Sequence, residues 1–185
     1  AIRAAIEADR QHAVIARWVE GSIACRNFRP EYAFYAKREG ATAQGAVDAE
    51  RVFATVCTIG GEDGWFYANL LWWIRGACDW VVGGPSFRRK RRHPTELRVG
   101  DVVDSWRVIA LEPGRRLTLL MEMKAPGAGV LEFVVQPQAM GASVSATAYW
   151  HPAGVWGLVY WYALIPAHAF IFRGLTRAII RRASR

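Results

Sequence analysis

The sequence predicts an α+β domain of the helix-grip kind: an antiparallel sheet curved around a long C-terminal helix, with two short helices after the first strand. Three observations predict it. Apolar residues recur twice at helical spacing between residues 48 and 84. Alternation of period two, broken by turn residues, sets in after residue 100. From Gly154 to Phe172 the chain then runs for nineteen residues without Asp, Glu, Lys or Arg, a stretch that must leave water for a protein core or a bilayer.

At 185 residues the chain is long enough for one domain with a substantial core and too short for two of ordinary size. With 52% hydrophobic and 22% charged residues, its composition is that of a folded chain rather than a disordered one. The nine Trp, eight Phe and six Tyr are a surplus of large, half-polar surfaces, suited to lining a pocket or a membrane-interface belt.

The formal charge of +8 is unevenly placed. Residues 86–100 carry Arg88, Arg89, Lys90, Arg91, Arg92 and Arg98 against Glu96, and residues 173–185 carry five Arg, so the remainder is slightly acidic. One loop-like cluster and one tail are not the basic face expected of a nucleic-acid binder. The run FRRKRRHP, Phe87 to Pro94, lacks interleaved stacking aromatics. It reads as a solvated connection within reach of an anionic partner or membrane headgroups, and nucleic acid is not expected as a partner. Cys25, Cys57 and Cys78 are odd in number and lack paired ligand spacing, which argues against a disulfide framework or zinc site and for a reducing cytoplasm. No secretory signal pattern opens the chain, and Ala1 reads as a cut or processed end.

Taken in order, residues 1–34 form a tail: a short helix, AIRAAIEADR, then the β-prone AVIARWV and an irregular stretch. It is expected to dock on the body or to belong to a preceding domain. The main domain spans residues 35–185. A first strand runs from Tyr35 to Val47. Asp48 stands where a helix N-cap belongs, before AERVFATVCTI, whose Val52, Phe53, Val56 and Ile59 share a face. Gly60-Gly61 stops that helix. A second, Trp65 to Val82, places Leu70, Leu71, Ile74, Ala77, Cys78, Val81 and Val82 at helical spacing and ends at Gly83-Gly84-Pro85.

Residues 102–111, 117–124, 130–136 and 143–150 are four strands separated by EPGRR, APGAG and PQAMGA. In the second of them Leu117, Leu119, Met121 and Met123 face one way and Thr118, Glu122 and Lys124 the other. An apolar sheet face needs a cover, and the uncharged run supplies it. Pro166 is expected to divide that run into two helices. In the second, ending near Arg182, His168, Ile171, Phe172, Leu175 and Ile179 oppose Arg173, Arg177 and Arg181.

Several ordered motifs now carry a resemblance: IGGEDGW (Ile59–Trp65), LWWIRGACDWVVGGP (Leu71–Pro85), LRVGDVVDSWRV (Leu97–Val108), LLMEMKAPGAGVLEF (Leu119–Phe133) and AYWHPAGVWGLVYWYALIPAHAFIF (Ala148–Phe172). Over about residues 45–182 the chain resembles an uncharacterised bacterial domain family found C-terminal to NAD(P)-binding domains of the short-chain-dehydrogenase or epimerase type. That family in turn resembles the START-like superfamily of polyketide cyclases/dehydrases and lipid-transfer domains. The resemblance implies that residues 1–34 end a preceding NAD(P)-binding domain. No G-x-G-x-x-G follows any strand, and the glycines of Gly60-Gly61-Glu62-Asp63-Gly64 lie between two helices, so no dinucleotide site, cofactor or dehydrogenase activity is expected of this chain itself.

Strand parity and helix face nominate Trp106, Met121, Phe133, Trp150, Trp161, His168 and Phe172 as the lining of an apolar cavity for a small apolar or aromatic ligand. Each taken singly reads as an ordinary core residue, and it is together that they suggest a pocket. His168 is either a satisfied core histidine or a polar anchor, and on the second reading it is the one candidate acid/base. His151, before Pro152, reads as turn chemistry. Arg75 and Asp79, four apart, read as an ion pair along a helix or as a pair that orients a ligand carboxylate. Glu122 and Glu132 read as solvated. No metal site is expected. The functional classes left open are a ligand-binding accessory to an upstream dehydrogenase-like domain, a cofactor-independent cyclase or dehydratase, and a membrane-associated module.

Overall fold

A computed structural model describes residues 37–84 and 91–185. The tail of residues 1–34, Cys25, the first two residues of the expected first strand, Pro85 and the basic residues 88–90 lie outside them. Six strands form one antiparallel sheet: β1 (Lys37–Gly45), β2 (Val102–Val103), β3 (Trp106–Glu112), β4 (Arg116–Met121), β5 (Gly127–Gln138) and β6 (Gly141–Pro152), in the spatial order β1-β6-β5-β4-β3-β2. The α-helices among the described residues are α1 (Ala49–Cys57), α2 (Asn69–Val81) and the long α3 (Gly154–Ala183), with a 3-10 turn at Gly61–Asp63. This is the expected α+β helix-grip-like fold.

The hairpins follow from their turn residues. Glu112 pairs Arg116 across Pro113-Gly114-Arg115, with Gly114 at φ +73°. The β5–β6 hairpin is longer than its sequence suggests, because Pro137 stays inside β5 opposite Ala142. The amide of Val135 points toward β4 and donates to the Arg115 carbonyl, so the nitrogen of Pro137 points the same way, past the end of β4. No ladder bond is lost there.

Asp48 caps α1 as expected, its Oδ2 accepting from the amides of Glu50 at 2.9 Å and Arg51 at 3.4 Å. Val52, Phe53 and Val56 of α1 are buried with Ile59 against Leu117, Leu119, Leu131, Phe133 and Val144 of the sheet and Leu175 and Ile179 of α3. Alanines on β1 and β6 and Gly45 let α3 lie close over those two strands; a Cβ at position 45 would meet Ile180 Cγ2 at 2.5 Å.

Four expectations are corrected. The strand at 102–111 is two strands, broken where Asp104 takes φ +53° to bring its carboxylate inward. α2 begins at Asn69 rather than Trp65, because Gly64, Phe66 and Ala68 all hold positive φ and Asn69 Oδ1 accepts from the Trp65 amide at 2.9 Å. Pro166 does not divide the C-terminal run: α3 continues through it as one helix of 30 residues. The lost bond to the Tyr162 carbonyl costs about 3 kcal/mol in a helix interior, which the burial of Ile171, Phe172, Leu175 and Ile179 offsets.

The fourth correction concerns α2. Its apolar face turns outward: Leu70, Trp73, Ile74 and Val81 are exposed, while the opposite face presents Gly76 and Asp79, both buried, to the body. An ordinary surface helix is built the other way round.

Candidate functional site

The seven nominated lining residues fall into two files and one deep core position. The first file crosses one end of the sheet. Trp106 on β3 pairs with Met121 on β4, Met121 lies over Gly129 of β5, and Gly129 pairs with Trp150 on β6. The glycines make this row possible. A Cβ at Gly127 would meet the Trp150 ring at 2.6 Å, and one at Gly129 would meet Met121 Sδ at 3.3 Å. Trp150 is fixed from above, its Nε1 donating to the Gly157 carbonyl of α3 at 3.0 Å while its ring packs against Tyr160 at 5.1 Å.

The second file runs along α3. His168 lies between the rings of Trp161 and Phe172, at centroid distances of 5.2 and 5.5 Å. Residues 161, 168 and 172 share one helical face, so the spacing legible in the sequence produces this stack directly. The buried Nδ1 of His168 has no hydrogen-bond partner, which does not fit the reading of a satisfied core histidine. Burial pushes its pKa below the ordinary 6.5, so the ring is neutral at neutral pH. Phe133 is placed apart from both files, fully buried opposite Leu117 and Ala146 in the centre of the sheet, where it is core.

Arg75 and Asp79 do not face each other as an ion pair. Both hold the main chain of Lys124 just beyond β4: Arg75 Nη2 donates to its carbonyl at 3.4 Å, and Asp79 Oδ1 accepts from its amide at 2.7 Å. Asp79 is fully buried, and the chain leaving α2 folds back over it, with the Gly84 amide donating to the Asp79 carbonyl. The pair thus ties α2 to the end of β4. Glu122 and Glu132 stand on the other face of the sheet, with Arg107 and Arg116 respectively, and Tyr149 donates to Glu132 at 3.2 Å.

Sequence reasoning missed an aromatic cluster beside the first file. Trp65 stacks on Trp72 at 4.3 Å and packs against Trp106 at 5.9 Å. Asp104 holds it in place, Oδ2 accepting from Trp65 Nε1 at 2.9 Å and Oδ1 from the Gly61 amide at 3.3 Å. The available signal was the glycine-rich IGGEDGW, whose glycines at 60, 61 and 64 all take positive φ. Trp72 Nε1 is likewise buried without a hydrogen-bond partner. Of the basic run, Arg91 is structural: it donates to the carbonyls of Cys57 at 2.5 Å and Ile59 at 2.8 Å at the C-terminal end of α1. Arg92 pairs with Asp101 at 3.0 Å.

Among the described residues no group of three or more His, Cys, Asp or Glu is placed to hold a metal ion. A separate open groove of about 470 Å³ lies along the β1 edge, lined by Arg38, Glu39, Gly40, Ala41, Thr42, Thr147 and Tyr149, and includes none of the seven nominated residues.

No curated protein matches the chain. Among solved structures, the KanY protein superposes with a TM-score of 0.53 at 12% identity, over 81% of this chain and 99% of its own. DynU16, from the dynemicin biosynthetic locus, superposes with a TM-score of 0.50 at 11% identity, over 80% of this chain and 47% of its own. A protein from Mesorhizobium loti gives a TM-score of 0.45 at 12% identity, over 78% and 98%. At these identities the first two bear on the fold alone. The family model described as "Protein of unknown function (DUF2867)" matches residues 31–175, more than three quarters of the sequence, and the chain belongs to that family.

Proposed function

We propose that this domain binds a small apolar or aromatic molecule between the end of the sheet crossed by the first file and α3. The observation that carries the reading is the buried, unpartnered Nδ1 of His168, set between Trp161 and Phe172. A buried polar atom without a partner costs roughly 1–3 kcal/mol, and a ligand hydroxyl or carbonyl-bearing group would relieve it. Trp106, Met121 and Trp150 supply apolar walls, and Trp72 Nε1 offers a donor for ligand orientation. The helix-grip-like fold, shared with KanY and DynU16, supports a START-like ligand-binding role. The resemblance to domains found C-terminal to NAD(P)-binding domains supports a role in which the ligand is passed to, or received from, a dehydrogenase-like partner domain.

A second reading rests on the same histidine. A neutral imidazole held in an aromatic slot is a competent general base, which suits a cofactor-independent cyclase or dehydratase. Native mass spectrometry of protein purified without detergent tests the first reading, which expects a retained small molecule or a one-to-one adduct with added 1-naphthol. His168→Phe separates the two: binding weakened with no turnover to lose supports the binding module. A catalysed turnover that disappears with His168 supports the enzyme.

A further inference from the structure

We infer that the outward faces of α2 and the first half of α3 form a docking surface for an anionic membrane, on which the domain lies peripherally. This does not rest on the ligand reading, since none of the residues involved lines the two aromatic files.

The exposed stripe of α3 changes character along its length. At helical spacing it presents Val155, Val159, Tyr162 and Phe170, joined by Trp156, and then Arg173, Arg177 and Arg181. The most apolar 18-residue window of α3 meets the length and hydropathy of a membrane span, yet only 22% of it is buried in the domain. Its inner stripe, Trp161, Phe172, Leu175 and Ile179, is committed to the core, so the helix can lie on a bilayer but not cross it without dismantling the fold. The outward face of α2 adds Leu70, Trp73 and Trp80, with Leu70 68% and Trp80 70% exposed beside Trp156 at 76%.

Contacts at two places link α2 to α3. Tyr67, just before α2, packs on Phe170, and its ring occupies the space that Gly174 leaves. The end of α2 is tied to Lys124, two residues from Pro126, whose carbonyl accepts from Ala153 at the start of α3. Charge identifies the occupant. Neither helix contributes an exposed carboxylate: Asp79 is the one acidic residue in both, and it is fully buried. Every exposed charge they carry is positive, on a chain of net charge +8. Aromatic and aliphatic side chains continued along α3 by a row of exposed arginines match an anionic lipid interface, which attracts Lys and Arg near its surface.

The test is flotation of the full chain with phosphatidylcholine vesicles and with vesicles containing about a third phosphatidylglycerol. The double variant Trp80→Glu/Trp156→Glu is run beside it, its fold checked by circular dichroism, together with Arg173→Gln/Arg177→Gln. The expected result is binding to the anionic vesicles. It should weaken about tenfold or more in either variant, with brominated lipid quenching Trp fluorescence in the wild type. Absence of binding overturns the proposal, as does binding that both variants retain. Sedimentation showing a dimer that Trp80→Glu/Trp156→Glu dissociates, without vesicle binding, assigns the face to a second copy of the chain instead.

Discussion

Trp65 Nε1 donates to the carboxylate of Asp104 across 39 residues of sequence, and Asp104 holds a positive φ in order to receive it. The bond joins the loop between α1 and α2 to the β2–β3 corner and fixes the ring that stacks on Trp72 and packs on Trp106. Asp104→Ala leaves Trp65 Nε1 and the Gly61 amide unpaired, so urea unfolding should show a loss of about 2–4 kcal/mol. Asp104→Asn, which tolerates the left-handed conformation and keeps one acceptor, should lose less than half of that.

Gly127 makes room for Trp150. Its φ of +156° and the ring contact that a Cβ would make both penalise Gly127→Ala. The expected cost is about 1–3 kcal/mol, as for overpacking in a core. The indole proton of Trp150, now donating to the Gly157 carbonyl, should shift in the NMR spectrum.

His168 should give stability a pH dependence of defined sign. Burial lowers its pKa in the folded chain, so above the ordinary 6.5 both states are neutral and the residue contributes no pH dependence. As pH falls below that value, the unfolded chain takes up a proton that the folded one refuses, and stability drops until the folded pKa is reached. Comparing urea midpoints at pH values on either side of 6.5 for wild type and His168→Gln should show a smaller fall in the variant.

Cys57 and Cys78 should differ in reactivity. Burial raises the Cys57 thiol to about 11 despite the nearby Arg91 guanidinium, whereas Cys78 is exposed. In a Cys25→Ser background at neutral pH, iodoacetamide should modify Cys78 in the folded protein and reach Cys57 only after denaturant is added. Equal rates for the two would contradict the packing of α1 described above.

Much of the architecture was legible because it rests on short-range rules. The Asp48 cap, the EPGRR turn and the alternation in β4 depend on neighbours within a few residues. The files of Trp106 with Met121 and of Trp161, His168 and Phe172 follow from strand parity and helix face in the same way. What was not legible depended on distant partners. The inversion of α2 is set by Lys124, which draws Asp79 and Arg75 inward from 45 and 49 residues away. The start of α2 at Asn69 depends on Asp104 holding Trp65, and the passage of α3 through Pro166 depends on the core beneath Phe172 and Leu175. In each case a tertiary contact overrode a local preference.

The proposed ligand site places a small molecule beneath α3 on the aromatic row. Nuclear Overhauser contacts between bound 1-naphthol and the protein test it most directly, because they report position as well as binding. Contacts to the Met121 methyl group and the His168 ring are expected, together with a shift of the imidazole nitrogens on binding. Contacts confined to exposed methyls such as those of Val155, Val159 and Leu70, or no saturable contact at all, would contradict it.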